Sequence, residues 1–354
     1  MIIKNYFIIG VMSGTSLDGI DLAYVHFTVS ENDYSYKIVQ AQTIPYSDLW
    51  TEKLKQAINL PENELHQLNK EYTLYLSETI ANFITQHQIK QIDAIGSHGH
   101  TIKHQPNLGF TLQIGNLPEI KQFLPYPIVC DFRVQDVALG GQGAPLVPIG
   151  DLMLFTAYDY CLNLGGFANV SFTENNRRIA FDLCPVNTVL NYYANKIGLP
   201  YDDKGAVARS GQVNFDLLHQ LNAIPFYTAS YPKSLGIEFV MQNILPLLNE
   251  FNIPIADKLR TFTEHVAYQI CQGLPQLQGS LLVTGGGAYN DFLLELIQKN
   301  AQSLQVLVPD NLTVEFKEAL LFGFLALRKL ENKTNVLASV TGAKYDHSSG
   351  VIYS

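Results

Sequence analysis

Charge is scarce in this chain and long apolar runs are missing. Only 16% of its 354 residues are Asp, Glu, Lys or Arg, well below the roughly 25% usual in soluble proteins. Even so, no uninterrupted apolar stretch approaches the roughly 20 residues that a membrane-spanning helix needs, which excludes such a span and predicts a soluble globular protein. Positive charge is in deficit, with 23 Lys and Arg against 32 Asp and Glu and a formal net charge of -9. A chain of that sign attracts neither nucleic acid nor an anionic membrane, so the expected partner is a small molecule. Cysteine is sparse: Cys130, Cys161, Cys184 and Cys271 contain no Cys-x-x-Cys pair, which argues against a disulfide framework and fits free thiols in a reducing compartment. Residues 1–12 imitate a short signal peptide but run on without a small-residue cleavage site, so they are expected to form a first strand in a cytoplasmic protein.

What is present is apolar mass and glycine at particular places. Apolar residues make up 47% of the chain, and its length exceeds what one ordinary core supports, which predicts two domains of similar size. Apolar runs over residues 6–12 and 20–27 read as two strands around the loop Gly14, Thr15, Ser16, Leu17, Asp18, Gly19. Gly14 and Gly19 let the main chain approach an anion closely, and Asp18 and Asp21 put carboxylates where a hydrated cation would sit. That combination suits a nucleotide triphosphate, with an ordinary glycine-rich turn as the alternative.

The chain continues as a third strand over 36–41, then a long helix. Pro61 is placed in its first turn, and its apolar face repeats through Leu65, Leu68, Tyr72, Leu76, Ile80, Phe83 and His87. A short strand over 92–96 leads into the polar patch Ser97, His98, Gly99, His100, Thr101, where open α/β sheets place ligands. Gly140, Gly141, Gln142, Gly143, Ala144 and Pro145 read as a linker or hinge on composition. The opening pattern then recurs: residues 161–172 again read as strand, glycine loop (Gly165, Gly166), strand, followed by a third strand over 177–181. A repeat about 150 residues on is far beyond solenoid periods and predicts duplicated domains facing a cleft. A third glycine turn, Gly285, Gly286 and Gly287, joins a buried strand to a helix over 291–299.

Four groups carry candidate chemistry. Asp182 follows a strand and precedes a helix predicted over 186–197, whose positive end would keep the carboxylate ionised and ready to take a proton from water; a helix cap is the alternative. Arg133 suits bidentate pairing with a substrate carboxylate, or a structural ion pair with Asp131 or Asp136. Glu318 lies on a helix predicted over 315–328. His98, His100 and His104 also admit a zinc reading, because His-x-His puts two rings on one face of a strand.

Three glycine loops in this order, two on a duplicated strand pattern, resemble the superfamily of sugar kinases, actin and the heat-shock chaperone ATPases. Residues 10–21 (GVMSGTSLDGID), 97–106 (SHGHTIKHQP), 131–133 (DFR), 140–148 (GGQGAPLVP), 163–166 (NLGG) and 339–343 (SVTGA) are more closely similar to the anhydro-N-acetylmuramic acid kinase family, over nearly the whole chain. The resemblance implies an α/β fold of two duplicated actin-like (ribonuclease H-like) ATPase domains flanking a central cleft, here divided as 1–132 and 133–354. It also implies an ATP- and Mg²⁺-dependent enzyme of peptidoglycan recycling that opens 1,6-anhydro-N-acetylmuramic acid with water while phosphorylating O6. Carried over residue by residue, Gly14, Thr15, Ser16, Leu17, Asp18, Gly19, Ile20 and Asp21 would hold the ATP phosphates, with Asp18 and Asp21 toward Mg²⁺. Gly165 and Gly166 would form the second phosphate loop, and Gly285, Gly286 and Gly287 would border the adenosine. Asp182 would be the general base, Glu318 would be a second catalytic residue matching a family Glu that can face the cleft, and His98, His100, Thr101, Arg133 and Asn187 would contact the amino sugar. A homodimer is implied by analogy.

Two stretches depart from the family pattern. Where the family has Asp-Thr-Gly-Pro, a small residue and Asn, residues 182–187 read DLCPVN, and residues 232–238 read PKSLGIE for the family's Pro-Lys-Ser-Thr-Gly-Arg-Glu. The changes at Leu183, Cys184, Leu235 and Ile237 leave open a different sugar acceptor, or a nucleotide- or muropeptide-binding protein without turnover.

Overall fold

The opening apolar run folds as β1 (Ile3–Ser13), turns back as β2 (Gly19–Ser30) and again as β3 (Asp33–Pro45). Both pairings are antiparallel, and β1 is inside, so its central residues are buried on both faces. The chain crosses over through a helix at Glu62–Gln86 to β4 (Ala94–Gln105), which pairs parallel to β1. Next come β5 (Phe110–Ile114), a hairpin partner of the far end of β4, and β6 (Ile128–Cys130), parallel to β4. The computed structural model describes residues 2–14, 16–31 and 33–354.

The second sheet repeats this plan. Strands β7 (Tyr160–Leu164), β8 (Phe167–Glu174) and β9 (Arg177–Pro185) form an antiparallel meander; β10 (Gln278–Thr284) and β11 (Ser303–Leu307) add in parallel on the β7 side. The first sheet runs β3-β2-β1-β4-β6 and the second β9-β8-β7-β10-β11, in the same order and with the same strand directions. The predicted duplication is therefore present strand by strand, as two α/β units of the actin-like, ribonuclease H-like kind.

The boundary of the two units lies elsewhere than at 132/133. One unit comprises Met1–Leu154 with Phe316–Ser354, and the other Phe155–Glu315. Residues 140–145 are not a linker: the Gly143 N–H donates to Asp136 Oδ2 (2.6 Å), the Gln142 N–H to the Thr341 carbonyl (2.8 Å), and the fully buried Asp136 also accepts from Thr341 Oγ1 (2.7 Å). The C-terminal strand β12 (Val351–Tyr353) then joins the first sheet against β6. The two bonds to Thr341 join segments about 200 residues apart, and composition does not encode them.

Other local expectations shift with tertiary context. The 97–101 patch is not a loop after a short strand but part of β4 itself, with Gly99 at φ 72° breaking its regularity. Pro61 caps the long helix from outside, and the predicted face from Leu65 to Phe83 is buried, with His87 as the C-cap. The helix expected over 186–197 is Asn187–Asn195, because Pro185 and Val186 are held in extended or irregular backbone at the end of β9.

One contact fixes the first unit. The helix Asn311–Leu330 lies directly on β1 and β4, where Gly10 and Gly96 stand side by side in parallel register. A Cβ on Gly10 would fall 1.8 Å from the Ala319 carbonyl oxygen, and one on Gly96 would fall 2.4 Å from that of Phe322. Gly10→Val therefore destabilises the protein by about 3 kcal/mol or more in denaturant unfolding. Gly286→Ala, whose Cβ meets nothing nearer than Asn187 Nδ2 at 3.9 Å, stays within about 1 kcal/mol of wild type. Equal stability of the two variants would remove the close approach as the organising contact.

Candidate functional site

The loop after β1 is built from short-range bonds. Leu17 takes φ 62° and donates its N–H to the Gly14 carbonyl (3.4 Å), and Ser16 Oγ donates to Asp18 Oδ1 (2.7 Å). Gly19 is required by packing, since a Cβ there would sit 2.5 Å from the Ile44 carbonyl oxygen. Ile20 is fully buried under the loop, while Ser16 and Asp18 are exposed. Asp21 pairs in register with Met12 and accepts from Thr43 Oγ1 (2.6 Å). Thr15 lies outside the described residues.

Behind the loop runs a buried chain of hydroxyls that sequence reading missed. Ser13 Oγ is 2.6 Å from Tyr46 Oη and 2.8 Å from His100 Nδ1, and Tyr46 Oη is 2.5 Å from Tyr72 Oη. Burial pulls His100 down to about 4, which keeps the ring neutral, and pushes the Tyr46 phenol up to about 12. His100 thus supports the loop from within. The only available signal was an apolar helix face that carries Tyr at its centre.

His98 and Arg133 form a pair. The Arg133 Nε–H donates to His98 Nε2 (2.9 Å), so the imidazole proton sits on Nδ1 and is donated to the Gly99 carbonyl (2.9 Å). Burial first, and the guanidinium second, hold His98 well below its usual range and neutral. Arg133 also donates from Nη1 to the Gly143 carbonyl (2.6 Å). Neither ion pair expected from sequence, with Asp131 or Asp136, forms among the described residues. Burial lowers Arg133 to about 10, and it remains charged at neutral pH. Glu318, on the helix that lies on β1, feels Arg133, Asp21, Lys317 and Asp18 together. Dense surrounding protein raises its carboxyl above the usual range, although water still reaches the side chain and limits the rise.

The remaining first-unit candidates make other bonds, although His104 stays within electrostatic reach of Arg133. Thr101 accepts from Gln113 Nε2 (3.4 Å), and His104 Nδ1 is 3.0 Å from Thr111 Oγ1. His98 has both ring nitrogens engaged by protein, and among the described residues no group of three or more His, Cys, Asp or Glu stands together to hold a metal, so nothing there supports the zinc reading.

In the second unit the glycine loops converge on one strand end. The Gly165 and Gly166 carbonyls accept from the amides that open the helix Asn187–Asn195: Val186 and Thr188 to Gly166 (2.8 and 3.3 Å), and Asn187 to Gly165 (3.3 Å). Asn187 Nδ2 donates to the Leu164 carbonyl (3.3 Å). Its role is to tie the helix to the loop. Gly285 (φ 81°) and Gly287 pack so closely on Asn163 and Leu164 that a Cβ at either would fall 2.6 Å from them, while Gly286 is exposed. Backbone surface suited to a flat or phosphate-bearing ligand is thus presented at Gly166 and Gly286.

Asp182 sits at a bulge in β9. Asn169 pairs with Asp182 and Ala168 with Cys184, so Leu183 is the extra residue that re-aims the carboxylate. Asp182 Oδ2 accepts the Leu235 N–H (2.8 Å). The other oxygen carries no hydrogen bond among the described residues. The expectation of a carboxylate favoured by a helix terminus needs correction: burial raises Asp182 above the usual carboxylate range, opposed by the Leu235 amide. Leu183 and Cys184 point into the hydrophobic core, Leu183 against Gly273, so these two departures from the family run alter packing and not the exposed face of the site.

A carboxyl with a raised native pKa binds its proton more tightly when folded. It costs no stability below its unfolded pKa near 3.9, and a growing amount as pH rises through the native value. Asp182→Asn therefore melts above wild type at pH 7, with the gap closing toward pH 4 in thermal scans. A gap independent of pH would contradict the assigned environment.

The sequence model of the anhydro-N-acetylmuramic acid kinase family matches residues 6–354. Curated relatives of that name include those of Saccharophagus degradans, 36% identical over 376 residues with 99% of each chain covered, and of Mannheimia succiniciproducens, 35% identical with the same coverage. The protein of that name from Haemophilus influenzae is 33% identical, with 99% of this chain and 98% of the relative covered. A match of this extent, on a duplicated fold with glycine loops at strand ends and Asp182 at a bulge in β9, makes the chain a member of the anhydro-N-acetylmuramic acid kinase family.

Proposed function

We propose that the protein is an ATP-dependent kinase that converts 1,6-anhydro-N-acetylmuramic acid and water to N-acetylmuramic acid 6-phosphate in the cytoplasmic recycling of peptidoglycan. The observation that carries the mechanism is the geometry of Asp182: one carboxylate oxygen is fixed by the Leu235 amide and the other is left to accept a proton. In this reading Asp182 takes a proton from water as its oxygen bonds to the anomeric carbon. The C1–O6 bond breaks, and O6 takes the γ-phosphoryl group, leaving ADP. The family membership supports ATP as donor.

Mg²⁺ bound with ATP would neutralise charge on the transferring phosphoryl group. Asp18 and Asp21 would hold it, with Glu318 adding to the negative field. The backbone of residues 14–19, Gly166 and Gly286 would line the nucleotide. Arg133, oriented by His98 and Gly143, would bind the sugar's carboxylate. We also propose a homodimer, which light scattering tests.

Transfer of ³²P from γ-labelled ATP to the anhydro sugar, run in ¹⁸O-water, tests this reading. Label from water is expected at C1 and none in the phosphate. Asp182→Asn is expected to lose about 10²–10⁴-fold in kcat, and wild-type turnover in that variant would retire the base assignment. Arg133→Lys is expected to raise KM for the sugar about 10-fold with little change in KM for ATP. An unchanged sugar KM would move Arg133 out of the substrate site.

A further inference from the structure

Residues 231–236 form a strap over β9 that touches Asp182 twice. The Asp182 N–H donates to the Lys233 carbonyl (3.1 Å), and the Leu235 N–H donates to Asp182 Oδ2 (2.8 Å). One end of the strap is anchored by Tyr231, which stacks on Phe181 with centroids 5.2 Å apart and donates its hydroxyl to Glu174 (2.7 Å). The middle is anchored by Lys233. Its ammonium does not face solvent as a free cation: Nζ donates to the carbonyls of Phe226 and Tyr227, each at 3.2 Å, and lies 4.8 Å from the Phe226 ring centroid and 5.8 Å from that of Phe181. The two carbonyls belong to the short turn Pro225–Thr228, so a single side chain ties that turn, the strap and β9 together.

We propose that Lys233 is a positioning residue for Asp182: by pinning the strap to the 225–228 turn it holds the Leu235 N–H against the carboxylate, and so sets both the aim and the basicity of that group. This rests on Asp182 acting as the base. A half-buried cation held between two rings and two carbonyls is already engaged on several sides, which disfavours a direct role for Lys233 in binding a substrate anion. The other titratable groups near Asp182 leave this amide as its direct hydrogen-bond donor. Cys184, next but one on β9, is neutral because burial raises its thiol; Tyr227 lies on the turn beside Cys184, with His265 behind it on the helix Ile255–Gln272; and Glu174 of β8 is taken by Tyr231.

The test is the pH profile of kcat/KM with ATP and 1,6-anhydro-N-acetylmuramic acid, for Lys233→Met, Lys233→Arg and Tyr231→Ala. Losing a hydrogen bond to the charged form moves the acid limb of Lys233→Met upward by about one pH unit. It also lowers kcat about 10-fold or more while KM for the sugar changes less than about twofold. Lys233→Arg, which can still donate to both carbonyls, recovers most of kcat. Tyr231→Ala, which removes an exposed anchor, shifts the limb in the same direction and supplies the answer if Lys233→Met does not fold. An unmoved acid limb in the folded variants, or Lys233→Arg no better than Lys233→Met, overturns the proposal. If Asp182→Asn retains full turnover, the base assignment itself fails. If Asp182→Asn is inactive while the Lys233 variants keep the wild-type limb, only the strap's role falls.

Discussion

The first unit depends on a direct backbone contact between a strand and a helix. Gly10 on β1 and Gly96 on β4 present no side chains to the helix Asn311–Leu330, whose carbonyls at Ala319 and Phe322 occupy the space a Cβ would take. Because that approach is set by backbone atoms, it cannot relax through a rotamer change. The same contact carries Glu318, one residue before Ala319, to the end of β1 where the loop over 14–19 begins, within electrostatic reach of Asp18, Asp21 and Arg133. In the second unit the close approach is of a turn to a strand: Gly285 and Gly287, after β10, rest on Asn163 and Leu164 at the end of β7.

The polar groups of the two units are supported differently. In the first, support comes from below, through the hydroxyl chain of Ser13, Tyr46 and Tyr72 with a neutral His100, and from beside, through His98 and the Gly143 carbonyl on Arg133. Burial keeps both histidines unprotonated, so they orient neighbours without adding charge to a region that already carries three carboxylates and a guanidinium. In the second, support comes from above: a strap on Lys233 and Tyr231 bonds the carboxylate and the amide of Asp182. A bulge at Leu183 turns that residue toward the strap, and the bulged residue itself is absorbed by the core.

Much of this was legible in residue order. The apolar runs on either side of the glycine loops marked the opening strands of both meanders, the spacing from Leu65 to Phe83 marked the crossover helix, and the repeated strand, glycine loop, strand pattern marked the duplication. The long family motifs pointed to the chemistry. Less legible was anything that depends on segments far apart in sequence. Residues 140–145 have a linker's composition, yet Asp136 and Thr341 tie them into the first unit. His98 and His100 have a metal-binding spacing, yet His98 bonds Arg133 and Gly99 and His100 bonds Ser13.

The sequence by itself determined the two-fold repeat, the opening strands of each sheet, the long crossover helix, the glycine turns and the family, because these rest on local periodicity, on backbone freedom at single positions and on contiguous motifs. Only the tertiary structure decided where the chain divides, what each histidine bonds, and which way burial drives Asp182. Those depend on which atoms exclude water from a group and which donors reach it, and here the atoms come from residues as distant as Leu235 for Asp182 and Thr341 for Asp136.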